Sequence, residues 1–236
     1  MTDALFRNDP YLKTCEASVV AINERGGVVL DKTVFYATGG GQPGDRGSLK
    51  SADGRQFEIA TTVYDNDKTT IVHVPGEGAQ LPKPGELVTC ALDWEQRLAH
   101  MRTHTCLHLL CSLIDAPVTG GQISAGRGRL DFDIPEAVLD KEALTAALNQ
   151  LIDDDRSVTA RWITDAELAA QPELVRTMAV KPPMGSGQVR LIEIADCDLQ
   201  PCGGTHVART GEIGRATVTK IEKKGARNRR VRVEID

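Results

Sequence analysis

The sequence predicts an α+β chain in which a strand-rich first part precedes a part built on one long helix and antiparallel strands. Three observations carry that expectation. No convincing helical period occurs before residue 90, a clear one begins at Asp93, and the chain closes on strictly alternating residues. With 236 residues, 41% of them hydrophobic, the chain can bury a sizeable core in one large or two modest domains.

In the first part, ASVVAINERGGVVLD reads as a hairpin. An apolar run ends at Ile22, turns at Arg25-Gly26-Gly27 and resumes from Val28 to Leu30. QFEIATTVYDNDKTTIVHV reads as a second hairpin, turning at Asp65-Asn66-Asp67. The segment LPKPGELV, with two prolines and a glycine, marks a domain boundary or a barrel-closing loop. The expected domains are residues 1–90 and 91–236.

Asp93 is an N-cap candidate with Glu95 and Gln96 in the first turn behind it. Leu98, Met101, Cys106, Leu109, Leu110 and Leu113 then recur at near-helical spacing, which predicts a helix of about five or six turns. A second helix is expected from Pro135 to about Leu151, with Pro in its first turn and Leu139, Leu144, Leu148 and Leu151 inward. VRLIEIAD, ATVTKIEKK and RRVRVEID read as strands. In the last, Val231, Val233 and Ile235 alternate with Arg230, Arg232 and Glu234, so one face is buried and one solvated. Gly225 to Asn228 is its hairpin turn.

Several classes are excluded. No stretch approaches the ~18 consecutive apolar residues of a membrane span. The start, MTDALFRNDPYLKT, lacks the order of a signal peptide, and no low-complexity tract suggests disorder. A soluble, cytoplasmic protein is expected. Six cysteines (Cys15, Cys90, Cys106, Cys111, Cys197 and Cys202) are too few for a disulfide scaffold of this length. Buried thiols plus one or two used chemically fit better. The net charge of −5 hides a basic run from Arg215 to Arg232, with eight basic residues against Glu222 alone. It is either a solvated hairpin or a phosphate-facing surface.

The densest chemistry lies in the histidines, of which there are five: His73, His100, His104, His108 and His206. Three of them, at 100, 104 and 108, fall four apart on the predicted helix. Spacing of i, i+4 stacks two imidazoles within reach of one metal ion. In PCGGTHV, Cys202 and His206 are also four apart. Two helix histidines with this Cys and His make a four-donor N/S set, the kind Zn2+ prefers. A metallopeptidase helix would need Glu directly after its first His, where this chain has Thr105. Cys106 and Cys111 read as helix-core packing. In TVFYATGGGQPGDRG, Gly39, Gly40 and Gly41 permit positive φ and close backbone approach. Neither Lys-Ser/Thr nor a helix follows, so this is not a nucleotide-phosphate fingerprint. A structural turn between strands is the plain alternative.

Taken in order, TVFY…GGGQPGDRG, RLAHMRTHTCLHLL and DLQPCGGTHVARTGEIG resemble the editing domain of alanyl-tRNA synthetases, and more closely the AlaX trans-editing proteins. KKGARNRRVRVEI is similar to the family's closing hairpin. The matches run from about residue 33 to the C-terminus, and Ala37-Thr38 is a departure from the pattern. The layout resembles the medium-length class. It implies a small N-terminal β-barrel-like domain with the Gly-rich motif (Gly39, Gly40, Gly41, Gln42 and Asp45), then an α+β zinc-containing editing domain. The resemblance makes His104, His108, Cys202 and His206 the zinc ligands and leaves His100 outside them. It implies hydrolysis of the ester joining a wrong amino acid, serine first and glycine second, to the 3′ end of alanine tRNA. The regions a full synthetase uses to charge tRNA are not matched. The partner is then the acceptor stem of that tRNA, with no DNA and no membrane. A serine-selecting pocket must hydrogen-bond the extra hydroxyl; Thr119, Thr205, Gln42 and His100 are its candidates. Lys223, Lys224, Arg227, Arg229 and Arg230 are expected to hold acceptor-stem phosphates. Zinc would either act on water and carbonyl or only organise the pocket. Two alternatives stand beside this: a non-catalytic RNA-binding protein with a structural zinc, and a threonyl-type editing domain.

Overall fold

Period-two patterning dominates the first part of the chain, and it folds into strands. The computed structural model describes residues 2–135, 139–175 and 187–236. They divide into two compact units, Met1–Leu98 and Ala99–Asp236.

The first unit holds β1 (Asp3–Ala4), β2 (Thr14–Ile22), β3 (Val28–Leu30), β4 (Lys32–Thr33), β5 (Gly47–Ser51), β6 (Gln56–Tyr64), β7 (Ile71–Pro75) and β8 (Leu87–Leu92). Six of them close a barrel in the order β2-β3-β7-β6-β5-β8. Both expected hairpins are present, as β2–β3 and β6–β7. The segment after the prolines becomes β8, which pairs with β2 on one side and β5 on the other and so closes the barrel. Alternate residues of these strands, among them Val19, Leu30, Leu49, Phe57, Ile59 and Val88, fill the interior with Val34 and Phe35.

Among the buried polar side chains of this unit, His73, Arg97 and Asp45 each find partners there. His73 contacts the Thr33 hydroxyl through Nε2 (2.8 Å) and the Val28 carbonyl through Nδ1 (3.0 Å). Burial lowers its pKa to about 4, with the Val28 carbonyl pulling the other way. Arg97 and Asp45 form a fully buried ion pair. Arg97 also donates to the carbonyls of Val34 (2.6 Å) and Pro10 (2.8 Å), and Asp45 accepts from the Tyr36 N–H (2.6 Å). The end of the Gly-rich motif is therefore an internal anchor.

Helix α1 (Trp94–Leu113) crosses the division between the units. Asp93 caps it, accepting from the Gln96 N–H at 3.1 Å. From Thr103 to Cys111 every residue is buried, so this helix has no solvated face along two and more turns. Cys106 and Cys111 are packed as expected, and none of the six cysteines is in a disulfide.

The second unit continues with β9 (Val118–Ser124), β10 (Arg127–Asp133), α2 (Lys141–Asp153), β11 (Val158–Thr164), α3 (Asp165–Ala169), β12 (Gln188–Ile194), β13 (Asp198–Pro201), β14 (Ala216–Lys224) and β15 (Asn228–Ile235). The antiparallel pairing is distributed over two sheets, β14-β15-β10-β9 and β11-β12-β13. Gly128 of β10 lets the first sheet meet α1. A Cβ there would lie 2.9 Å from Thr103 Cγ2 and 3.1 Å from Leu107, closer than packing allows.

The second helix starts later than the sequence suggested. Asp140, not Pro135, begins it, its carboxylate accepting from the Ala143 N–H at 2.8 Å. A capping side chain satisfies an orphan backbone donor, which a first-turn proline does not. Leu139 thus precedes the helix, and residues 136–138 of the expected span lie outside the described residues. Leu148 and Ile152 are buried on α2, while Leu144 and Leu151 are half-buried. Asn149 of α2 bonds both backbone groups of Ala216, covering part of the β14 edge. Among the described residues, no helix is long and apolar enough to cross a membrane.

Candidate metal centre

Helical periodicity places His104 and His108 one turn apart on α1. The turn after β13 brings Cys202 and His206 to them, and the ligand atoms of all four lie within 4.8 Å of one another. Cys202 Sγ is 3.5 Å from His104 Nε2 and 3.3 Å from His206 Nε2. Around one ion, with bonds of about 2.0–2.3 Å, tetrahedral ligands stand roughly 3.3–3.8 Å apart. The cluster is close to that spacing. The three histidines are buried and Cys202 is half-buried, so the site opens on the thiol side.

Four side chains hold these donors in place. Asp198 Oδ2 lies 3.0 Å from His108 Nδ1, and Gln200 donates to the same oxygen at 2.7 Å. With Nδ1 committed, His108 has Nε2 left for a metal. The Thr105 hydroxyl is 3.2 Å from His206 Nδ1 and accepts from the Val207 N–H at 3.2 Å, which fixes the second ring in the same sense. Arg190 of β12 donates to the carbonyls of Cys202 (3.1 Å) and Gly204 (2.9 Å), tying down the turn that carries two of the four candidate donors.

The electrostatics suit a cation. Burial opposes a charge on Cys202, but the neighbouring His104 and His206 hold the thiol well below its ordinary range. Burial, together with the charge of His104, keeps His206 well below the usual imidazole value. For His108, burial is outweighed by Asp198 and Cys202, which raise it to about 10. A thiolate-prone sulfur and three imidazoles around a common point, with the Asp198 carboxylate behind His108, are a donor set that suits a metal ion such as Zn2+.

The other expected site residues are placed as follows. His100 is buried on α1, one turn before His104. Thr205 is fully buried between the two ligands of the turn. Thr119 is the extra residue of a β-bulge in β9, its hydroxyl donating to the Asp131 carbonyl at 3.1 Å. Gln42 is buried in the barrel unit, where Gly39 and Gln42 bridge across Gly40 and Gly41, both at positive φ.

The expected phosphate-holding set divides. Arg230 makes two hydrogen bonds to Asp131, at 2.7 and 2.8 Å, and Arg227 two to Asp133, at 3.1 and 2.9 Å. Arg229 donates to the carbonyls of Asn228 and Pro135. These three arginines are engaged within the unit, while Lys223 and Lys224 are exposed. Register explains the difference. Strand β15 pairs with β10, so Arg230 falls opposite Asp131, an acid about a hundred residues earlier that a local charge count does not see.

Thr105, Asp198, Gln200 and Arg190 were not anticipated. Asp198 and Gln200 had a signal: in DLQPC, alternate positions lead along one strand face to Cys202. Thr105 and Arg190 had none, since their partners arrive from distant segments.

Comparison with known proteins adds to this geometry. Residues 189–232 match the family model described as the threonyl and alanyl tRNA synthetase second additional domain, and residues 10–96 match that of class II (A) tRNA synthetases. The chain is 34% identical to the alanyl-tRNA editing protein AlaX-M of Methanosarcina mazei, over 98% of this chain and 95% of that protein. It is 31% identical to AlaX-L of Pyrococcus horikoshii, over 95% of this chain and 55% of that one. With the alanine–tRNA ligase of Pyrococcus furiosus, identity is 33% over 94% of this chain and 24% of the ligase.

Proposed function

This chain belongs to the AlaX family of alanyl-tRNA editing proteins, and from that premise we propose that it is a deacylase acting on mischarged alanine tRNA. The observation that carries the proposal is the convergence of His104, His108, Cys202 and His206, with Asp198 and Thr105 behind two of the rings. The AlaX-M and AlaX-L relatives carry the name of alanyl-tRNA editing protein, and the cluster supports the reading as a candidate place for attack on an ester.

In the proposed reaction, a water oxygen adds to the ester carbonyl and the ribose oxygen leaves as a hydroxyl, giving free amino acid and tRNA. His104, His108, Cys202 and His206 would hold zinc, which supplies Lewis acidity to an ester carbonyl or a water. The chain's own contribution is preorganisation. Asp198 keeps the His108 proton on Nδ1, Thr105 fixes His206, and Arg190 holds the turn, so no donor has to reorient during the reaction. The half-buried Cys202 marks the side from which the aminoacyl end enters.

We assign serine as the preferred wrong amino acid, and glycine as the second. Thr205, buried between the candidate ligands, and Thr119, on its bulge, are the hydroxyls proposed to meet the serine side chain, and His100, buried on α1, is proposed as a third pocket residue. Lys223 and Lys224 are proposed to meet the acceptor-stem phosphates.

The test is direct. Purified, zinc-replete protein at low concentration is incubated with serine and alanine esters of the same alanine tRNA. Release of serine with alanine retained is expected. Release of both would sink the pocket assignment. Stability of both esters would retire the enzyme and favour an RNA-binding protein with a structural zinc.

A further inference from the structure

We propose that Trp162 is a stacking platform for the unpaired nucleobase at the 3′ end of the RNA substrate, which makes it a substrate-positioning residue of the metal site. The proposal rests on the deacylase reading above and names how the RNA end is held there.

Strand pairing places Trp162. Val189 and Leu191 of β12 turn to one face of the sheet, where they join Ile163, Leu168 and Leu174 in an apolar cluster. Arg190 therefore turns to the other face, and Trp162 of β11 sits directly opposite it. Continuing across the sheet, the Cys202 N–H donates to the Arg190 carbonyl at 3.0 Å. Trp162, Arg190 and Cys202 thus form one row across three neighbouring segments, on the face whose next positions, Gln200 and Asp198, hold His108. Two strand spacings separate Trp162 from Cys202, about 10 Å.

The indole is 42% exposed, on an edge strand, in a chain with only two tryptophans. A large amphipathic ring left open at the rim of a site gains little from packing and much from a flat ligand. In an aminoacyl ester of RNA, the base is the next rigid group outward from the ester, joined to it through one ribose. With the ester at the metal cluster, a ring about two strand spacings away faces that base. Arg190, between Trp162 and Cys202 in that row, fixes the ligand-bearing turn and its register with Trp162 at once.

The test uses the full-length, zinc-replete chain and two RNA minihelices with an unpaired CCA end. One is intact and the other lacks only its terminal nucleobase. The wild-type protein should bind the intact RNA about 5- to 100-fold more tightly than the abasic one, the range that one base–aromatic stack provides. Its tryptophan emission should be quenched by the intact RNA alone. Trp162→Ala should lose that preference, with the loss in ester cleavage falling on KM and not on kcat, and Trp162→Phe should restore most of it. Equal discrimination by wild type and Trp162→Ala, or equal weakening on both RNAs, would overturn the proposal. Base-dependent binding without ester cleavage would retire the deacylase and keep the platform. Cleavage without base dependence would do the reverse.

Discussion

Asp198→Asn isolates the electrostatic part of the candidate metal site. The change keeps the size of the side chain and an oxygen to receive His108 Nδ1–H, now 3.0 Å from Oδ2, but removes the charge. Asp198 is buried, and Gln200 donates to the same oxygen at 2.7 Å, so water cannot replace what is lost. An uncharged acceptor makes His108 a poorer metal ligand. Should the amide turn its NH2 toward the ring, the wrong tautomer follows and Nε2 carries the proton. Removing such an outer partner typically costs 10–100-fold in metal affinity, about 1.4–2.7 kcal/mol. The enclosed geometry argues for the upper half of that range. The assay is competition for zinc against a chromophoric chelator at fixed pH, with circular dichroism to confirm the fold. Affinity within about twofold of wild type would refute the claim that this carboxylate orients His108.

Three further outcomes follow from the same contacts. Thr105→Val removes the hydroxyl shared by His206 Nδ1 and the Val207 N–H; a loss of about 1–3 kcal/mol in urea unfolding is expected, with weaker zinc binding by the same competition. His73 is neutral when folded, with a pKa near 4, whereas the unfolded chain takes up its proton below about 6.5, so stability from this group is complete above 6.5 and lost as pH falls toward 4. The full effect is about 3 kcal/mol, read as the difference between wild type and His73→Gln in urea midpoints from pH 7 to 4; parallel curves would refute it. Lys223→Ala with Lys224→Ala should lower the log–log salt slope of RNA binding by about one to two, while Arg230→Ala, which leaves Asp131 with Arg129 as its remaining arginine partner, should cost stability; an unchanged slope would remove the lysines from the interface.

What could be read in the sequence was what depends on neighbours a few residues apart. The i, i+4 histidines, the Asp93 cap and the two hairpins of the barrel need only local geometry, and the structure contains each. Where local signals competed, the stronger donor–acceptor match won: the Asp140 carboxylate begins α2 although Pro135 also reads as a start. What stayed hidden requires knowing which segments become adjacent. The charge run near the C-terminus looked open because Asp131 and Asp133 lie a hundred residues away, until β10–β15 pairing sets them beside Arg230 and Arg227. The buried Arg97–Asp45 pair joins positions 52 residues apart, and neither carries a mark of it in the sequence.

The same distinction explains how the site is built. Its candidate ligands come as two local pairs, each legible alone, yet neither pair orients its own rings. Thr105 sits on α1 but steers His206 of the turn, and Asp198 precedes the turn but steers His108 of α1. Each element thus carries the other's support, so the four donors reach their spacing only when helix and turn are docked. Binding of a metal there would then be coupled to the docking of these elements. Thr105→Val and Asp198→Asn, in contact with opposite halves of one cluster, should therefore be non-additive in zinc affinity. An additive double variant would mean that each ring is held independently, and the crossed support would be wrong.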